Sequence, residues 1–237
     1  MRTLLLVGGL SLGLAWLVGA GGAVGAPTFE GKSLDEWIKQ LTASDPKLRA
    51  QAGRAIGQMG PRAKKAVPAL IVALQDKTPA VRDWAAYAVS CIGPDAKDAV
   101  PALIAMLKDP DEELRWSAAN ALGSIGPDAK AAVPALKQAL ADPEPWLRWH
   151  ATVALGRIGP DAKAAVPDLA GALEDEEYIV RLGAAEALAR IGPDAREAVP
   201  ALLRSWQKET EATTIRDRAA EAVKKIDPQA AAKAGIK

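Results

Sequence analysis

The sequence predicts an all-α fold, a right-handed α-solenoid (α-α superhelix) of about six stacked antiparallel helix pairs. Three observations lead there. The stretch Ile125-Gly126-Pro127-Asp128-Ala129-Lys130-Ala131-Ala132-Val133-Pro134-Ala135-Leu136 has near-copies beginning at Met59, Ile92, Ile158 and Ile191, so glycines fall at 60, 93, 126, 159 and 192. A constant period of 33 residues marks stacked supersecondary units rather than one globular core. Each unit carries two apolar patterns of helical spacing, and an alanine-rich, aromatic-poor composition suits helices that approach closely. A sixth, degraded copy reads Ile226-Asp227-Pro228, displaced by two extra residues in the last unit.

The first elements of the chain stand apart from the repeat. Arg2 is the only charge before Glu30, and Thr3 to Gly25 is an uninterrupted apolar and small-residue run. One positive charge, an apolar stretch and then small residues read as a secretory signal over residues 1–26. The length of the run also fits an uncleaved membrane anchor of about 20 residues. A cut after Ala23 or Gly25 is easier than one after Ala26, because Pro27 would follow that bond. Either way the chain is expected to be exported, in the periplasm or another extracytoplasmic space. Residues 27–32 read as a linker, and 33–226 as the solenoid. Ser33-Leu34-Asp35-Glu36 is a capping box that starts the first helix, followed by Leu34, Trp37 and Leu41 on one apolar stripe. A terminal unit that departs from consensus is what a solenoid needs to close its exposed end.

Within the repeating units the first helix shows apolar residues at i, i+3 and i+7. Val67, Leu70 and Leu74 are followed by Val100, Leu103, Leu107, by Val133, Leu136, Leu140, by Val166, Leu169, Leu173 and by Val199, Leu202, Trp206. Prolines at 68, 101, 134, 167 and 200 fall early in this helix, where they either start it or kink it after one turn. Counted from a recurring arginine, the second helix is apolar at −1, +3, +6, +7 and +10, mostly with small side chains. It ends at the periodic glycine, expected in a left-handed conformation, and the next Asp marks the start of the following helix. After Ile226 only a tail, 227–237, is expected, fraying at its end.

Two polar positions share the period. Arg49, Arg82, Arg115, Arg148, Arg181 and, after the insertion, Arg216 recur once per unit; Asp76, Asp109, Asp142 and Asp175 each stand six residues before an arginine. A carboxylate and a guanidinium repeated in every unit read as a structural ladder. Asp would cap or brace the turn, and Arg would bridge neighbouring turns.

Short helices, Pro early in the first, Asp in the turn, then Leu/Val-Arg-x-x-Ala-Ala-x-Ala-Leu-Gly-x-Ile-Gly, together resemble the HEAT-repeat family, and most closely its short phycobilin-lyase-type repeats. Unit three carries the whole pattern in Pro101, Asp109, Leu114-Arg115, Ala118-Ala119, Ala121-Leu122-Gly123 and Ile125-Gly126. The resemblance covers Ser33 to Ile226. It implies that the arginine-bearing helices line a concave face, and it extends to scaffolds, chaperones and a few enzymes.

If that face is concave, positions +2, +5 and +9 from each arginine form its solvent stripe. The aromatic residues gather there in units two to four. Trp84 and Tyr87 are read as exposed, while Trp116 and Trp149 fit either an exposed patch or packing between units. Trp146, His150 and Asn120 lie beside them. Rigid aromatics are the usual anchors of a binding patch, and Arg157 and Arg190 further along suit an acidic or carboxylate-bearing partner. His150 is the single histidine and Cys91 the single cysteine, which leaves no internal disulfide and no His/Cys metal cluster. Without Arg2 the basic and acidic residues balance at 29 each, short of the basic excess of a nucleic-acid binder. No nucleophile-elbow, phosphate-loop or dinucleotide motif occurs. The expectation is a monomeric, non-catalytic, exported scaffold for a protein or peptide, needing no cofactor or metal and touching a membrane only through residues 3–25 if these are retained. A cofactor-handling, bilin-lyase-like or chaperone role is the second reading, carried by the resemblance alone; nucleic-acid binding is the third.

Overall fold

The computed structural model describes residues 28–208 and 212–236, and the candidate signal or anchor segment lies outside them. Six antiparallel helix pairs follow one another: α1 (Leu34–Gln40) with α2 (Pro46–Met59), α3 (Val67–Ala73) with α4 (Pro79–Ile92), α5 (Val100–Met106) with α6 (Glu112–Ile125), α7 (Val133–Ala139) with α8 (Pro145–Ile158), α9 (Val166–Ala172) with α10 (Tyr178–Ile191), and α11 (Val199–Gln207) with α12 (Thr213–Ile226). A short α13 (Pro228–Ala234) closes the array. Among the described residues no helix is long and apolar enough to cross a membrane.

The predicted stripes become the core. In α6, Leu114, Ala118, Ala121, Leu122 and Ile125 are all buried, the −1, +3, +6, +7 and +10 positions of that unit. In the shorter partner helices Val and Leu at the first and fourth positions are buried, as Val100 and Leu103 are. The long helices stack directly on the long helices of neighbouring units, whereas each short helix from α3 to α9 rests on the segment that enters the next unit. The long-helix side is therefore the tighter, inner side of the stack.

The joint between units differs from the expected turn. Each periodic glycine opens a seven-residue 3-10 segment, Gly60–Ala66, Gly93–Ala99, Gly126–Ala132, Gly159–Ala165 and Gly192–Ala198, before the next α-helix begins. Three residues per turn place i and i+3 on one face. That spacing buries Ala63 with Ala66, Ala96 with Ala99, Ala129 with Ala132, Ala162 with Ala165 and Ala195 with Ala198. The following proline sits at the second residue of the α-helix, where its missing N–H costs nothing, so it starts this helix rather than kinking it. The glycines are not in the left-handed helical region either. Their φ lies between +59° and +76° with ψ between −136° and −142°, a conformation essentially reserved for glycine.

Both ends are more ordered than the sequence suggests. Residues read as a linker form a two-strand hairpin, β1 (Thr28–Phe29) with β2 (Lys32–Ser33), turning through Glu30 and Gly31, both at positive φ. The Phe29 carbonyl accepts from Trp37 Nε1 at 3.0 Å, and the Lys32 ammonium lies 4.4 Å from the Trp37 ring centroid. The hairpin thereby helps bury Trp37 at the open end of the stack. The Ser33–Glu36 capping box is formed. At the other end, residues expected to fray fold as α13, because Asp227 caps it through the Ala230 amide and also pairs with Arg196 of the unit before.

Candidate binding face

Four arginines of the ladder each connect their unit to the next. Arg49 donates from Nε and Nη2 to the two Asp76 oxygens at 2.7 and 2.9 Å, and from Nη1 to the carbonyls of Ala43 and Ser44 in its own turn. Arg148 repeats this on Asp175 and on the carbonyls of Asp142 and Pro143. Arg82 and Arg115 reach Asp109 and Asp142 more loosely, through single hydrogen bonds of 3.2 Å. Arg82 Nε lies 3.0 Å from Asp109 Oδ2 but is not aimed at it, so that contact is an ion pair by distance only. Arg181 donates to the carbonyls of Asp175 and Glu176, and Arg216 to that of Trp206. Each aspartate also braces its own turn, as Asp76 does by accepting from the Thr78 amide. The Arg49 hydrogen bonds hold the Asp76 carboxyl below its ordinary range. Burial works to raise Asp175, but Arg148 and the Glu177 amide outweigh it and leave that carboxyl lowered too.

Small residues then set how closely long helices approach. A Cβ placed on Gly123 or Gly156 would lie 3.0 or 2.8 Å from the Cα of Ala154 or Ala187 in the next unit. The stems of Arg157 and Arg190 run across those same glycines. This register brings position +1 of one unit against +2 of the next. Ser117 Oγ donates to Asp83 Oδ1 at 2.7 Å by that rule, and Trp116 stacks on His150 by the same rule.

Four aromatic rings follow one another across α6 and α8. Trp116 and His150 are parallel within 12° at 5.3 Å between centroids, His150 and Trp149 are 4.6 Å apart, and Trp149 meets Trp146 edge-on at 5.8 Å. Trp116, Trp149 and His150 are half-buried; Trp146 is 54% exposed. Burial, with Arg157 adding to it, pushes the His150 imidazole down to about 4, so it is a neutral ring at physiological pH. Beside this run lies a groove of about 420 Å³, lined by Trp116, Trp146, His150 and the carboxylates Glu112, Glu113 and Glu144. Its volume is in the range of ligand sites. A second hollow of about 200 Å³, lined by Trp149, Thr152, Gly183, Glu186, Arg157 and Arg190, is smaller than that range. Gly183 keeps it open, since a Cβ there would meet Thr152 Oγ1 and Trp149.

The expected patch is thus divided. Trp84 and Tyr87, read as exposed, are half-buried instead. Trp84 packs onto Gly53 and the Tyr87 ring fills the space over Gly57, with Gln58 donating to the Tyr87 hydroxyl. They meet edge-on at 5.4 Å and line neither groove. Two glycines in α2 left gaps that large rings fill. Asn120 is half-buried and also lines neither groove. Trp116, Trp146 and His150 come together in one groove, while Arg157 and Arg190 line the other with Trp149. Sequence reasoning missed Glu112, Glu113 and Glu144. A signal was available for Glu112 and Glu113, which open α6 where other units place Pro46-Lys47 or Pro79-Ala80; Glu144, just before α8, stands at a position that is also acidic as Asp45, Asp111 and Glu177.

The model of HEAT repeats matches residues 34–99, 92–144 and 133–224. None of the curated proteins matches the chain. Among solved structures it is similar to the complex of CpcE and CpcF of phycocyanin lyase from Nostoc sp. PCC7120, at 23% identity over 92% of this chain and 97% of that one, with a TM-score of 0.59. It also resembles an archaeal HEAT-like repeats protein from Thermococcus onnurineus NA1, at 16% identity over 82% and 87% of the two chains and a TM-score of 0.61. A designed armadillo repeat protein in complex with the peptide (KR)4 aligns at 20% identity over 83% and 100%, with a TM-score of 0.70. At these identities the structures speak for the fold alone. With the repeat model spanning the array from α1 to α12, the chain belongs to the HEAT-repeat family.

Proposed function

We propose that this protein is an exported, non-catalytic scaffold that holds a segment of another protein along its long-helix face. The observation that carries the proposal is the aromatic run Trp116–His150–Trp149–Trp146, which presents rigid rings from two adjacent units beside a groove. Large rings bury area with little loss of rotamer freedom, and such residues dominate interface energetics. The designed armadillo repeat protein of similar fold, which is in complex with a peptide, lends the reading support from a comparable stack. A catalytic reading finds less support: His150 is held neutral between two indoles and forms no hydrogen bond among the described residues. Export rests on the apolar run of residues 3–25 and its small-residue end.

Benzoylphenylalanine, a photo-crosslinking amino acid that keeps an aromatic ring in the wall, placed at Trp146 and, as control, at the exposed Val72 of α3 tests the face. Peptide-bearing crosslinks from the extracytoplasmic fraction at position 146 and none at 72 are expected. Equal capture at both positions, or none at 146, overturns the scaffold. Fractionation with N-terminal sequencing checks export. A mature chain beginning between residues 24 and 27, or a membrane-bound intact one, agrees with it; an intact chain in the cytosol does not.

A further inference from the structure

We infer that the groove between the first turns of α6 and α8 receives an arginine side chain from the bound segment, a deepening that rests on the scaffold reading above. Two independent properties of the groove point to a flat cation. Its walls are the rings of Trp116, Trp146 and His150, and its rim is the three carboxylates Glu112, Glu113 and Glu144. A helix start accounts for acidic residues by itself, since charge there favours the terminus. Glu144 does cap α8 through the Trp146 amide. What a helix start does not account for is their convergence, from two different units, on one aromatic wall. None of the three carboxylates forms an ion pair among the described residues, although twelve other carboxylates do.

The chemistry favours arginine over the other cation. A guanidinium is planar, stacks on an indole face while its N–H groups reach carboxylates in the same plane, and is weakly hydrated. An ammonium keeps its hydration and gains less from the ring. The neutral state of His150 matters as well, because an imidazolium in the wall would repel the guest. The apolar stem of arginine would lie along Trp146, the most exposed ring of the run. Beyond Trp149 the second hollow, with Arg157 and Arg190, gives the face the opposite charge one unit on. The sequence-based expectation of an acidic partner therefore applies to that hollow and not to the aromatic groove.

The test uses the full chain without its first 27 residues and an acetylated, amidated Gly-Ser-Gly-Arg-Gly-Ser-Gly peptide, with lysine, citrulline and glutamate versions. Binding is read by indole fluorescence and by isothermal titration at low and moderate salt. The arginine peptide is expected to bind about tenfold more tightly than the citrulline one, with lysine between them, which is the cation–π and charge contribution at a partly desolvated ring. Trp146→Ala and the double change E112Q/E113Q, all at exposed positions, should each lose most of that preference while melting as the parent does. Equal binding of arginine and citrulline peptides overturns the inference, as does preference for the glutamate peptide. Self-association that disappears in Trp146→Ala also overturns it, by making a second copy the occupant. If position 146 captures a partner segment lacking arginine, this inference fails and the scaffold stands; if it captures nothing, both fail.

Discussion

Arg148 donates from Nε and Nη2 to Asp175 and from Nη1 to the carbonyls of Asp142 and Pro143, with 9% of its side chain exposed. Its fork geometry is the reason lysine cannot substitute. Arg148→Ala should lower stability by roughly 2 kcal/mol, the scale of hydrogen bonds to a charged group, and Arg148→Lys should recover only part. Arg115→Ala, whose ion pair is longer, should cost less; urea midpoints of the three variants check the order. His150 supplies a second single-residue prediction. Its unfolded value is near 6.5 and its folded value about 4, so folding excludes its proton. The stability it permits is intact above about pH 6.5 and declines as pH falls from there toward 4. Arg157 and the groove carboxylates Glu112, Glu113 and Glu144 surround it. In His150→Phe, which keeps a ring in the wall, the loss of stability between pH 7.5 and 4.5 should be smaller than in the parent. Parallel urea curves for the two proteins would contradict the assignment. The carboxylate rim was present in the sequence as Glu112, Glu113 and Glu144, but nothing in one sequence says that +1 of one unit meets +2 of the next. That offset is set by the crossing of stacked helices, and it decides which rings touch.

Elements were legible to the extent that their periods were clean. The apolar stripe of the long helix and the i, i+3, i+7 stripe of the short one became the core, with exceptions such as exposed Leu48 in the first unit and the partly buried Leu140 and Trp206. The 3-10 joints were not legible, because Gly-Pro-Asp reads equally as a turn or a helix start. Only the burial of alanines three apart, such as Ala129 and Ala132, distinguishes them. Glycine inside helices tells the same story at finer grain. Gly156→Ala would drive a methyl to 2.8 Å from the Ala187 backbone, so the helices must separate. A destabilisation of about 1–3 kcal/mol is expected from such overpacking. Gly171→Ala in α9 meets nothing within 4 Å, and should stabilise by about 0.5–1 kcal/mol through helix propensity. Thermal melts of the two variants should therefore move in opposite directions. Trp84 and Tyr87 were misplaced for the same reason that Gly53 and Gly57 went unremarked. Whether a ring faces solvent depends on the gap one unit back.

Across the whole molecule, coupling runs from neighbour to neighbour. Ending the chain at Ile226 removes α13 and the Asp227 pair with Arg196, and should loosen the last unit alone. Hydrogen exchange should quicken in α11 and α12 and stay unchanged in α4 to α8. Uniform acceleration would mean that the array unfolds as one cooperative block. A chain beginning at Thr28 should melt with the full-length protein, whereas one beginning at Leu34 loses the hairpin over Trp37 and should melt lower.

The forward reach of Arg49, Arg82, Arg115 and Arg148, in each case 27 residues to the next aspartate, also bears on how such a gene can change. The decapeptide from Ile125 to Pro134 is repeated without change from Ile158 to Pro167. Unequal recombination within it would delete or duplicate one unit in frame, and each arginine that now pairs forward would still meet an aspartate at the same distance. A deletion would keep a folded stack and erase His150 together with Trp146, and a duplication would set Trp149 against a second copy of His150. Length and recognition can therefore be inherited separately in this chain.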